Sequence, residues 1–341
     1  MQFGQPRRYL RPLCAVDPRL ERVVTVNGFQ FPLGVIPAES VEPSEGYRQE
    51  FESGQAEWPD CYMFDVVVSA EKAEPLFRDL LRLAPSRLVP ILDVRGDDAY
   101  REMDPYLGLE ELDRETLTGL LTPARAFLFE DGHCGFGVVA EDPLFYVYLD
   151  DHKILTIRCG LTEAGEVEEL LEAQGISAET EPLGVDAVAH DHLDVLWTDD
   201  NRRDLLDFYG MLDTLRQEWG LELNIDPESN VDDDGRSLDM TAWRVLLLLE
   251  AINDEPRWRG KASAPGVSMS KYAELLLTAE SLARVDELVE RVARELTGYR
   301  LLDLVTADRI RPEELSEALG EELEPTEPRV FSIELIEEPR S

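Results

Sequence analysis

The chain has 341 residues, 43% of them hydrophobic, with 72 acidic side chains against 33 basic ones and a formal net charge of −39. Phosphate binding needs clustered Lys and Arg that release counterions, so this balance argues against nucleic acid and against an anionic membrane surface as partners. No apolar run approaches the roughly 20 residues of a membrane span and no secretory pattern opens the chain, so a soluble, cytoplasmic protein is expected.

The nearest thing to a basic run is Arg7, Arg8 and Arg11, read here as a solvated terminus. Only four lysines occur (Lys72, Lys153, Lys261 and Lys271), leaving 29 arginines. That bias fits a GC-rich genome, and with the acidity it also fits a salt-adapted cytoplasm in which screening relieves carboxylate repulsion. Cys14, Cys61, Cys134 and Cys159 form no Cys-x-x-Cys pair, as expected of reduced thiols rather than a zinc ribbon.

Along the chain, residues 1–60 read as a loop-rich segment. Its one hairpin is Val23–Val26 and Phe29–Phe31 around Asn27-Gly28, since Asn-Gly supplies the positive φ angles of a tight turn. Residues 61–185 read as an α+β domain. Asp65–Val68 is a strand, and a helix with Leu76, Phe77, Leu80, Leu81 and Ala84 on one side leads to a second strand at Leu88–Val94. A meander follows, predicted at Ala126–Phe129, Phe136–Ala140, Leu144–Leu149 and Ile154–Ile157, and then a helix carrying Val167, Leu170 and Leu171.

Residues 186–341 read as a second α+β domain. It holds a strand at Leu193–Trp197, a helix from Leu205 to Trp219, a buried helix around Val245–Leu249, a strand–helix–strand unit from Glu274 to Val305 and a last strand at Val330–Ile336. The segments "DVVVSAE" (65–71) and "ELLLTAE" (274–280) match in character. Each places a hydroxyl, Ser69 or Thr278, where strand becomes helix and an N-cap is needed. The predicted fold is therefore α+β, with mixed and antiparallel sheets, helical crossovers and a ferredoxin-like arrangement in each half.

Two motifs carry candidate chemistry. In His190-Asp191-His192-Leu193-Asp194, strand alternation puts His190, His192 and Asp194 on one face, a plausible ligand set for zinc, manganese or iron. The stretch "VAHDHLD" resembles the His-x-His-x-Asp-His signature of metallo-β-lactamase-type hydrolases. Val195 stands where that family has its next histidine, however, and no histidine follows His192.

The second motif, Asn230-Val231-Asp232-Asp233-Asp234-Gly235, resembles the start of an EF-hand calcium loop, with Asn230, Asp232 and Asp234 at ligand spacing. Thr241 occupies the position of that family's bidentate Glu. The set Glu130, Asp131, His133 and Cys134, with Gly132, Gly135 and Gly137, reads as turn and bulge chemistry instead.

No complete catalytic motif is present. The expectation is a non-enzymatic module that binds protein or scaffolds an assembly. The alternatives are a metal-dependent enzyme using His190, His192 and Asp194, or a calcium- or small-ligand-responsive domain using Asn230, Asp232 and Asp234. A divalent metal is the only cofactor these motifs suggest.

Overall fold

The computed structural model describes residues 9, 11–54, 59–198, 202, 204–252, 270–321, 323 and 325–336; Arg7 and Arg8 lie outside them. The chain divides into two units, residues 1–94 with 105–224, and residues 95–104 with 225–341. The boundary near 224 differs from the one expected at 185, because the helix Phe208–Trp219 and the strand Leu221–Leu223 complete the core of the first unit.

The first unit is built on β1 (Val35–Pro37), β2 (Gly46–Glu52), β3 (Cys61–Val67), α1 (Ala70–Leu83), β4 (Arg87–Arg95), β5 (Met103–Gly108), β6 (Leu112–Asp113), α2 (Arg114–Leu121) and α3 (Arg125–Glu130), with the last residue of β4 and the first two of β5 assigned to the second unit. It continues through β7 (Cys134–Glu141), β8 (Leu144–Leu149), β9 (Leu155–Cys159), α4 (Ala164–Ala173), β10 (His190–His192), α5 (Phe208–Trp219) and β11 (Leu221–Leu223).

Its large sheet runs β11-β5-β4-β7-β8-β9-β3-β2, with β6 pairing β4 off that path. The crossover β3–α1–β4 leaves a gap of three strands, and the antiparallel meander β7–β8–β9 fills it. The apolar stripe of α1 makes this work: Leu76, Phe77, Leu80 and Leu81 are all buried. Phe77 packs against Phe136 of β7 at 4.7 Å between ring centroids and against Phe129 at 6.0 Å, both favourable offset or edge geometries.

Phe129 corrects one expectation. Ala126–Phe129 is not the first strand of the meander but part of the short helix α3, five of whose six residues are buried. The hydroxyl caps are also corrected. Ser69 makes no side-chain cap and instead accepts the Gln30 amide, while Thr278 donates to the Glu327 carbonyl; the capping serine is Ser281, which accepts the Arg284 amide.

The second unit contains β12 (Thr241–Ala251), β13 (Ser270–Ala279), α6 (Leu282–Glu295), β14 (Tyr299–Ile310), α7 (Pro312–Leu319) and β15 (Arg329–Ile336). Val245–Leu249, expected as a helix, lies inside strand β12. The run is apolar at every position because the strand is covered on both faces. Trp243, Val245, Leu247 and Leu249 join the core of α6, while Ala242 joins a smaller core with Leu315 of α7.

The antiparallel order is β14-β12-β13-β15. Neither this order nor that of the large sheet confirms the ferredoxin-like arrangement expected of each half. The fold is mixed α+β. Among the described residues no helix is long and apolar enough to cross a membrane.

Candidate metal centre

Three of the chain's four histidines meet in the first unit. The rings of His152, His190 and His192 have centroids 4.8 to 5.0 Å apart, and one ring nitrogen from each lies within 4.8 Å of the others. Ligand nitrogens on a tetrahedral Zn²⁺ with bonds of 2.0–2.1 Å sit about 3.4 Å apart, so a small contraction would close the set on a metal.

The backbone that delivers these rings is tightly specified. β10 pairs with β1 in the register Val35↔His192 and Pro37↔His190, which puts both imidazoles on one side of the ribbon. A second set of backbone bonds ties this ribbon to the α3–β7 turn. Gly34 N–H donates to the Glu130 carbonyl, Gly132 N–H to the Leu193 carbonyl, and Leu193 N–H to the Gly34 carbonyl. The approach is so close that a Cβ at Gly132 would lie 2.0 Å from the Gly34 oxygen, so only glycine fits there.

Asp131, fully buried in that turn, accepts the His133 and Val195 amides through its two oxygens. Burial first, and then the Asp194 charge, push its carboxyl well above the usual range.

His152 arrives from the β8–β9 turn. Asp150 folds that turn by accepting the Ile154 amide, and Lys153 takes a left-handed φ of 64°. The Lys153 side chain is buried, and its ammonium donates to the Cys134 carbonyl at the start of β7. An aliphatic stem packed inside with its charge on a carbonyl holds the turn down and presents His152 to β10.

Each histidine has its Nδ1 occupied. His190 Nδ1 is 2.7 Å from the Val188 carbonyl, and His192 Nδ1 is 2.6 Å from the Gly132 carbonyl. A carbonyl only accepts, so both Nδ1 atoms carry the proton, and in the neutral ring Nε2 carries the lone pair. His152 Nδ1 faces two carboxylates, Asp151 at 3.1 Å and Asp150 at 3.3 Å. Asp151 also reaches within 3.6 Å of His192 Nδ1. Such outer partners fix the ring orientation of metal-binding histidines and raise their basicity.

The local field favours a cation. Burial would lower the pKa of His152, but Asp150 and Asp151 outweigh it and raise the ring to about 10. That shift favours the protonated, cationic ring of His152 at neutral pH. The site is half-buried rather than sealed: the His152 side chain is 23% exposed and that of His192 11%.

The predicted residues divide accordingly. His190 and His192 are brought together. Strand β10 ends at His192, and the Asp194 carboxylate turns to accept the Leu196 amide. His152 was not singled out as a ligand from sequence; the available signals were the Asp-Asp-His turn after β8 and the scarcity of histidine in the chain.

The calcium candidates lie in the second unit, in a turn closed by a Val231–Ser237 bridge with Gly235 at φ 77°. Asp232 accepts the Asp234 and Arg236 amides of its own turn. Asn230 accepts from Arg309 and donates to the Asp239 carbonyl and to Thr241, while Asp234 pairs with Arg236. The four cysteines are all buried and unpaired with each other, and burial pushes the Cys134 thiol far up, so it stays protonated beside His133.

Comparison of the chain with protein-family models, curated proteins and solved structures finds no match.

Proposed function

We propose that the first unit is a transition-metal site in which His152, His190 and His192 bind a divalent ion through Nε2, and that water in the remaining coordination position is the reactive group. The observation that supports this reading is the convergence of three imidazoles whose Nδ1 atoms all face a carbonyl or a carboxylate. Neutral imidazole suits zinc, copper, iron and nickel.

Three histidines with an open fourth position form the pattern of catalytic rather than closed structural zinc sites. A metal held by these three histidines would lower the pKa of a bound water toward neutrality and so supply a nucleophile at neutral pH. In this reading Asp151, bridging two ligand histidines, is a positioning residue, and binding displaces the proton held by His152. This reading favours metal-assisted hydrolysis or hydration over a partner-binding module.

The test begins with protein stripped by chelation and titrated with Zn²⁺ in a calorimeter. One ion per chain is expected, with affinity falling at least 100-fold in His152→Ala and in His192→Ala. The zinc-loaded protein is then assayed on an activated ester, p-nitrophenyl acetate, across pH 6 to 9. A rate that rises through about pH 7 and disappears in His192→Ala supports the reading. Binding without any rate difference between loaded and stripped protein would reduce the site to a structural one. Absence of binding would remove it.

A further inference from the structure

The second unit holds a buried group of charges that does not balance. Asp98, Asp104 and Asp308 are 4 to 8% exposed, and the guanidiniums among them belong to Arg101 and Arg309. Arg309 is committed to Asp98 at 2.8 Å, and Arg101 to Asp104 Oδ1 at 2.5 Å. Asp308 has no ion-pair partner among the described residues. The Thr306 side chain lies near its carboxyl, while Oδ1 is buried with no hydrogen-bond partner among the described residues. An orphaned buried carboxylate oxygen is costly and calls for a counter-charge.

That oxygen and Asp104 Oδ2 face the same small space above Gly96. A Cβ at Gly96 would lie 2.8 Å from Asp104 Oδ2 and 3.3 Å from Asp308 Oδ1. Gly96 itself is exposed, while Asp308 Oδ1 is closed to solvent.

We propose that Asp104 and Asp308 bind a hard divalent cation beside Gly96, with water completing its shell. Hard ions take oxygen ligands, and Mg²⁺ in particular binds through one or two carboxylates while keeping several waters. The all-oxygen chemistry sets this site apart from the imidazole centre of the first unit, and it stands independently of that reading.

The full chain, stripped of metal, is melted at fixed ionic strength and pH 8 over a Mg²⁺ titration, with a parallel Ca²⁺ titration. A saturable rise of the midpoint with either ion is expected. Asp308→Asn, which removes the orphaned charge, should unfold no lower than wild type without metal and lose at least tenfold in apparent affinity. Gly96→Ala removes no ligand but fills the space, and should lose affinity likewise, with the fold checked by circular dichroism. His192→Ala should respond as wild type does. A wild-type midpoint indifferent to both ions would overturn the proposal and leave a protonated carboxyl as the explanation. A rise undiminished in Asp308→Asn and Gly96→Ala would overturn it too, by assigning the effect to surface carboxylates.

Discussion

His190 and His192 were legible from alternation alone, because a residue pair two apart on any strand shares a face. His152 was not, because it is 38 positions away on another turn and only the meander topology brings it near. The ladder stops at His192, so strand alternation does not extend to Asp194, whose carboxylate accepts the Leu196 amide. A different residue of the first unit gives a pH test. Burial raises the pKa of the Asp93 carboxyl, partly offset by the Tyr148 hydroxyl that donates to it at 2.6 Å. A carboxyl raised on folding stabilises fully below its unfolded value, about 3.9, and that contribution is lost as pH rises through the folded value. Asp93→Asn keeps an acceptor for Tyr148 without the charge. Its unfolding midpoint should therefore gain on wild type as pH is raised from about 4 to 8; a difference independent of pH would contradict this.

At the scale of elements, most boundaries followed from turn chemistry and apolar stripes, and the two reversals have one physical root. Val245–Leu249 and Ala126–Phe129 are continuous apolar runs, and a run without a period does not distinguish a strand covered on both faces from a buried helical turn. In the first the chain is a central strand, and in the second a helix of six residues, too short to display a 3.6 period. The element that matters most for the site is the Gly34–Gly132–Leu193 knot, which no periodicity announces. Gly132→Ala would drive a Cβ into the Gly34 carbonyl and displace the oxygen that holds His192 Nδ1. It should cost about 3 kcal/mol of stability. It should also weaken Zn²⁺ binding by about 10- to 100-fold without touching a ligand, as losses of outer partners do. Calorimetric Zn²⁺ affinity and thermal unfolding of this variant check both; unaltered affinity in a folded variant would mean that the knot does not position the ring.

For the molecule as a whole, the α+β class was readable and the sheet order was not. Strand order depends on long-range pairing, such as the β7–β8–β9 meander entering the gap between β3 and β4, which local pattern does not encode. The net charge of −39 acts at this scale too. Like charges crowd when the chain compacts, and raising salt from about 0.1 to 1 M shortens the screening length from about 10 to 3 Å. The unfolding midpoint should climb steadily over that range of NaCl, and a flat or falling midpoint would mean that the surface ion pairs already neutralise the repulsion. Imidazole ligation works against a different background, since a field this negative draws cations of every kind and stoichiometry alone is a weak witness. The most direct test is the zinc K-edge X-ray absorption fine structure of protein loaded with one equivalent of Zn²⁺. Three imidazole nitrogens at about 2.0–2.1 Å are expected, with one oxygen completing a four-coordinate shell. A shell of oxygens alone, or one containing sulfur, would contradict it.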